Sequence, residues 1–330
     1  MPAEAEQDGA GPAAEESSCN SREIAKLAKM ASRDYNHFVK DSPVSAFCAD
    51  NGSHGQPGLY VTVYSREMAD FCAGQEWVRG LCLPEDFFEA GELKRMAAMA
   101  AGYQKEVCLR LPRILRGNAE RISSLLKERI WDGVYINGIG QAQLIDDLIR
   151  EEGRDCSSLL GGKAGQGSLW IAAAPFYQWN RRTTDQIRSL YPWINGAEYP
   201  VELSEEGVSN PHLLDLYGER ELLVYGRIPV MVSAQCLKKS QGLCDYREDL
   251  FYLEDRKGRR LPVTSHCRDC MNQIWKDSPR DLIGTDVPVG PGGISRLRMD
   301  LLDVNIEDFQ RIKERYLYWE KSGFRKNLPG

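Results

Sequence analysis

From residue 59 onward, short apolar runs alternate with segments of helical patterning, and this alternation restricts the fold more than any other feature. Strands are expected at 59–64, 77–83, 106–111, 131–137, 168–173, 193–199 and 221–225. Between them a short helix starts at Ser65, and Pro84 suits the first turn of a helix over 84–103. Further helices are expected at 118–129, with Ile122, Leu125 and Leu126 on one face, at 141–150, with Leu144, Ile145 and Leu148 inward, and at 183–190. Strand, helix and strand at this spacing imply right-handed crossovers and a parallel sheet. Seven or eight such units fit a closed α/β barrel, a (β/α) TIM-barrel-like domain, better than an open sheet. A chain of 330 residues has room for one such barrel or two modest domains.

The flanks divide by composition. Residues 1–20 are dominated by Ala, Glu, Gly and Pro and read as a disordered tail, because they hold too little apolar surface to order themselves. Residues 21–58 read as an N-terminal helix and loop, with Asn20 or Ser21 as cap and Ile24, Leu27 and Ala31 at helical spacing. The barrel body is expected over 59–235 and a cysteine-rich segment over 236–294. Within that segment, 250–253 and 260–263 flank Asp255-Arg256-Lys257-Gly258 as a β-hairpin. Residues 295–330 read as a closing strand, 295–301, and a helix capped by Asn305. Phe309, Ile312, Tyr316 and Trp319 form its apolar stripe, and Gly323 fits its stop.

The formal charge of −6 argues against broad electrostatic capture of nucleic acid, although a local basic patch is compatible with it. No apolar run reaches the roughly 18 residues that span a bilayer, so no membrane partner is expected. The N-terminus lacks the basic start and apolar stretch of a signal peptide, which makes the cytoplasm the expected location. Ten cysteines in a cytoplasmic chain suggest metal ligands plus buried thiols. Cys82 and Cys108 sit inside apolar runs and read as small buried hydrophobes.

Cys236, Cys244, Cys267 and Cys270 are different. They crowd into one stretch, with seven, twenty-two and two residues between successive members. Two thiolates of a C-x-x-C can bind one metal from a tight turn, and the hairpin would bring the other pair back to face it. The seven-residue gap is long for a zinc knuckle and suits an iron–sulfur (4Fe-4S) cluster, with zinc as the alternative. His266 adjoins the C-x-x-C and is expected at the surface. Four unlinked thiols, or a closed centre that only holds the fold together, are the plainer readings of the same residues.

The run Glu221-Leu-Leu-Val-Tyr-Gly226-Arg-Ile-Pro-Val-Met-Val-Ser233-Ala-Gln-Cys236 resembles the signature strand of peptidase family U32, the collagenase-like peptidases. The likeness is to the C-terminal half of the long members, and it covers about residues 130–305. Trp131-Asp-Gly-Val-Tyr-Ile-Asn137, Gly196-Ala-Glu-Tyr-Pro-Val-Glu202-Leu-Ser204, and Asp255-Arg256-Lys257-Gly258 followed by Pro262-Val263 agree with it. The resemblance implies a barrel-like fold. It also implies either peptidase activity or oxygen-independent hydroxylation of an RNA base or aromatic substrate, supported by a four-cysteine iron–sulfur cluster. RNA, or another U32-family protein beside which this chain works, is the implied partner; the oligomeric state is left open. Tyr225 stands where the family signature has a His, and Pro229 where it has a first Cys. Only Cys236 therefore matches a family ligand position, and the other three cysteines are assigned by local spacing.

Chemistry in such a barrel is expected just past the C-terminal strand ends. Tyr177 and Asn180 follow the fifth strand, Glu202 the sixth and Arg227 the seventh. Glu202 is a candidate general base and Arg227 a bidentate anion holder. A salt-bridged rim is the structural alternative for each. The chain has no G-x-S-x-G, H-E-x-x-H or Walker loop. The Gly-rich run 161–167 lacks phosphate-cradle spacing and reads as a loop. Cys236 has no visible local base for a peptidase nucleophile. A partner-binding barrel with structural zinc is thus a further alternative.

Overall fold

The computed structural model describes residues 56–152, 159–160, 168–203, 208, 218–290 and 293–326. All of the described residues fall in one compact unit, 51–330. The expected tail, the expected N-terminal helix and the Gly-rich run 161–167 lie outside the described residues.

Eight parallel strands close into a ring. They are β1 (Gly58–Thr62), β2 (Gly80–Pro84), β3 (Glu106–Arg110), β4 (Gly133–Ile136), β5 (Leu169–Ala172), β6 (Gly196–Glu198), β7 (Glu219–Gly226) and, much later in the chain, β13 (Arg296–Asp300). Each pairs with the next in parallel; β6 pairs with β7, and β13 pairs with both β7 and β1. The ring therefore has no free edge, and the fold is the expected TIM-type barrel. Between strands run α1 (Arg66–Ala73), α2 (Ala90–Gly102), α3 (Ala119–Lys127), α4 (Ile139–Glu152) and α5 (Arg181–Leu190). The segment after Pro84 first makes a 3-10 turn, Glu85–Phe87, so its helix starts later than expected.

Alternation along each strand sorts side chains to two layers. On β1, Leu59 and Val61 face the helices, as does Val63 just past it, while Tyr60 faces the lumen. The helices answer with apolar residues three and four apart, such as Leu93, Met96, Ala97 and Ala100 on α2. Ser65 caps α1 by accepting from the Met68 N–H at 3.2 Å. After β13 the chain ends in α7 (Ile306–Lys321), capped by Asn305, whose stripe of Phe309, Ile312, Tyr316 and Trp319 is buried as expected.

Between β7 and β13 lies an insertion. It contains β8 (Pro229–Ser233), a single turn of helix α6 (Leu237–Ser240), β9 (Leu250–Glu254), β10 (Arg260–His266) and β11 (Met271–Trp275). The expected β9–β10 hairpin is present, but it is half of a four-stranded antiparallel sheet ordered β8-β11-β10-β9. A short strand, β12 (Arg280–Asp281), then returns antiparallel to the end of β7. Gly226, where β7 leaves the barrel, has φ +140°, and a Cβ there would lie 2.7 Å from the Asp300 Cβ.

Candidate functional site

The lumen holds more charge than an ordinary barrel core. Its middle layer is Tyr60, Cys82, Cys108, Tyr135 and Ile171. Cys82 and Cys108 are register partners on β2 and β3, both buried, as expected of thiols in apolar runs. The Cys82 thiol donates to the Tyr135 hydroxyl at 3.4 Å. The hydrogen bond with Cys82, together with burial, holds the Cys108 thiol well above the usual range.

Toward the C-terminal mouth the lumen becomes ionic. Arg298, 2% exposed, sends Nε to 3.0 Å from Glu221 Oε1, Nη1 to 3.2 Å from Asp300 Oδ1 and Nη2 to 3.4 Å from Glu198 Oε1. Arg110 on β3 forks onto Glu198 at 2.5 and 3.3 Å. The Ala174 N–H donates to the same carboxylate at 2.8 Å. Burial alone would raise the Glu198 carboxyl, but the Arg110 and Arg298 guanidiniums outweigh it and hold the group down at about 2. Arg296 approaches Glu221 at 3.2 Å and stacks 3.3 Å over the Tyr60 ring. Tyr135 donates to Glu221. At the N-terminal end Tyr60 and Arg79 both bond Glu106, at 2.7 and 2.8 Å.

The insertion packs against this mouth. Its turn between β10 and β11 carries Cys267 and Cys270, and Asp269 in that turn meets Arg121 of α3 at 3.2 Å. Arg121 also bonds both carboxylate oxygens of buried Glu85, just past β2. The Arg268 guanidinium donates to the Glu85 carbonyl at 3.0 Å. His266 was expected at the surface but is 4% exposed. One ring nitrogen faces the Asp86 carbonyl at 3.1 Å and the other faces the Thr264 hydroxyl at 3.1 Å, so burial leaves neither unpartnered. Trp275 of β11 meets Tyr64, which meets Phe87, at ring-centroid distances of 6.1 and 4.6 Å. On the outer strand of the same sheet Tyr252 donates to Asp303, just past β13.

The sheet brings the four cysteines toward one of its ends. Cys236 lies just past β8, and β8 pairs with β11 immediately after the Cys267–Cys270 turn. Cys244 precedes β9, and the Cys267 thiol donates to the Arg247 carbonyl at 3.1 Å. Cys236 is buried, Cys244 and Cys267 are half-buried, and Cys270 is exposed. Burial raises the Cys267 thiol. Four thiols suit a thiophilic centre, yet among the described residues no group of three or more His, Cys, Asp or Glu is placed to hold a metal ion.

Of the four residues expected past the strand ends, two have structural partners and two are exposed. Asn180 caps α5, its side-chain oxygen accepting from the Thr183 N–H at 3.0 Å. Arg227 donates to the carbonyls of Lys276 and Asp277 at 3.0 and 2.6 Å and lies 3.4 Å from Asp303. Tyr177 is 53% exposed with φ +52°, and Glu202 is exposed. The structure does not bring these four into the lumen network. The residues that do meet there, Arg110, Glu198, Glu221, Arg298 and Asp300, were passed over. Their signal was a period-two pattern of charges inside strands otherwise apolar, as in Arg296-x-Arg298-x-Asp300.

No protein-family model matches the chain, and no curated protein matches it. Among solved structures, a U32 peptidase aligns over 75% of this chain and 94% of its own, at 12% identity and TM-score 0.44. A type I 3-dehydroquinate dehydratase from Clostridium difficile, solved with covalently modified comenic acid, aligns over 52% and 76%, at 11% identity and TM-score 0.37. An HpcH/HpaI aldolase from Desulfitobacterium hafniense aligns over 83% and 95%, at 11% identity and TM-score 0.33. The barrel assignment rests on the strand pairing itself. Among the described residues no helix is long and apolar enough to cross a membrane.

Proposed function

We propose that this chain is an enzyme, or a subunit of one, of the U32 kind, working at the C-terminal mouth of its barrel. Its four-cysteine insertion holds an iron–sulfur centre, and the substrate is an RNA base or other aromatic ring hydroxylated without molecular oxygen. One observation supports this reading above the rest. The sheet that carries the cysteines is bolted over the mouth through Asp269–Arg121 and Arg268–Glu85, next to a buried ionic network. Structural ion pairs alone would not need that location; active sites of this fold lie there. When bound by Cys236, Cys244, Cys267 and Cys270, a cluster supplies one-electron chemistry. The chain's own residues hold the substrate: the Arg110–Glu198–Arg298 array fixes polar groups, and Tyr64, Phe87 and Trp275 form an aromatic wall against water. RNA, or a second U32-family protein presenting it, is the proposed partner.

The test is anaerobic purification followed by metal and sulfide analysis. Brown protein with about four iron and about four sulfide per chain is expected. Colourless protein with one zinc would replace the redox reading with a structural clip. Peptidase activity has less support. His266 is the one histidine among the described residues, and Thr264 and Asp86 already engage its ring.

A further inference from the structure

Asn272 of β11 is fully buried, yet half of its side chain is unused. Its Oδ1 accepts from the Leu237 N–H at 2.6 Å, while its Nδ2 has no hydrogen-bond partner. The Leu237 N–H can only donate, so the atom facing it is the amide oxygen and the unused atom is the NH2 group. The bond to Leu237 needs no donor on this side chain. Buried polar atoms nearly always have partners. Among the described residues of the insertion, Asn272 Nδ2 is the one buried side-chain nitrogen or oxygen without one.

The surroundings of this amide are the cysteines. Leu237 directly follows Cys236, and Asn272 comes two residues after Cys270. Asn272 pairs with Ser265 on β10 and Ser233 on β8, so alternation turns these three side chains to one face of the sheet. Thr264, His266 and Gln273 take the other face, which meets the barrel through His266 and Asp86. On the Asn272 face, burial raises the Cys267 thiol, a hydrogen bond with Ser265 opposes this, and nearby Cys236 adds to it. Cys267 is therefore within reach of both Ser265 and Cys236. The Ser265 hydroxyl is already engaged, accepting from the Asp249 N–H at 2.8 Å. The Asn272 NH2 has no such engagement.

We infer that Asn272 is a positioning residue of the four-cysteine site: its NH2 donates to the sulfur of a metal-bound cysteine, while its oxygen fixes the turn after Cys236. Sulfur bound to a metal has no proton to give and accepts hydrogen bonds. Such outer contacts govern how firmly a metal is held and, in a redox centre, its potential. The inference rests on the cysteines holding a metal, as proposed above, but not on whether that metal is iron or zinc.

The test is anaerobic titration of the reduced full chain with cobalt(II), followed by the thiolate-to-cobalt charge-transfer absorption. Asn272→Asp keeps an acceptor for the Leu237 N–H and removes only the donor. It should bind cobalt at least about tenfold more weakly than the unaltered chain, with its charge-transfer band displaced. Gln235→Glu is the control, because it adds the same charge at an exposed position beside Cys236 and leaves the Asn272 amide in place. It should bind as the unaltered chain does. Equal affinity with Asn272→Asp overturns the inference, and so does equal weakening by the two variants, which would make charge rather than the donor responsible. Circular dichroism shows whether Asn272→Asp folds; if it does not, Asn272→Ala takes its place in the titration under the same expectation. Failure of the unaltered chain to take up either cobalt or iron sinks the four-cysteine reading itself, and the two failures are thus told apart.

Discussion

Arg121 of α3 joins the barrel to the insertion by meeting Asp269, in the turn between Cys267 and Cys270, at 3.2 Å. The same guanidinium neutralises Glu85, which is otherwise buried beside the mouth. Burial pushes the Glu85 carboxyl up even though Arg121 pulls it down, so losing the arginine leaves a poorly solvated acid.

Arg121→Ala should therefore destabilise the protein by about 2 kcal/mol, less than a fully buried pair because the arginine is partly solvated. Hydrogen exchange should accelerate at 266–275 before it does in the barrel strands. Uniform acceleration across the chain would show that Arg121 does not anchor the insertion.

Glu198 makes acid stability readable. Its carboxyl is held at about 2 in the fold against an ordinary 4.5. A group held low favours the folded state above its ordinary value, and that contribution drains away as pH falls from about 4.5 toward about 2. It amounts to roughly 3 kcal/mol. Glu198→Gln should lose this part of the acid-unfolding slope and be less stable at neutral pH, since Arg110 and Arg298 lose a charge partner. An unchanged slope between these pH values contradicts the assignment.

Gly226→Ala meets two obstacles, a φ of +140° and a Cβ position 2.8 Å from the Asp300 backbone oxygen. We expect a loss above about 2 kcal/mol, seen as a lower denaturation midpoint. Gly258→Ala, at φ +75° in the β9–β10 turn with nothing near its Cβ, should cost about 1 kcal/mol. The order of the two is the check.

Asn180→Ala should remove a helix cap and little else, lowering stability by about 1 kcal/mol. If activity is lost while the fold survives, Asn180 has a direct role after all, as its place past the fifth strand first suggested.

Cys267→Ser should abolish iron loading during anaerobic reconstitution, while Cys82→Ser should leave it intact. Cys82 lies in the lumen, bonded to Tyr135, away from the insertion sheet. Loss of iron in both variants, or in neither, would mean that the cluster is not bound where proposed.

The barrel was readable because its strands bury both faces and its helices one, leaving short apolar runs between amphipathic segments. The eighth strand was legible at 295–301 for the same reason. The lumen network was not, because charges at alternate positions look like ordinary solvent-facing residues until the ring closes around them. Arg296 and Arg298 are buried only because Glu221, brought by β7, sits beside both. β8 and β11 were missed for a related reason. Their pairing joins Ser233 to Asn272 across the whole hairpin, a partnership that no local pattern encodes. The burial of His266 has no local signal either, because it depends on Asp86, far away in sequence.

The strand that seals the ring comes last, after the cysteine-bearing sheet has already been synthesised. During translation the seven earlier strands emerge with β1 and β7 both unpaired on one side, and only β13 can stitch them together. The cysteine-bearing sheet therefore precedes, along the chain, the strand that shuts the cylinder beside it.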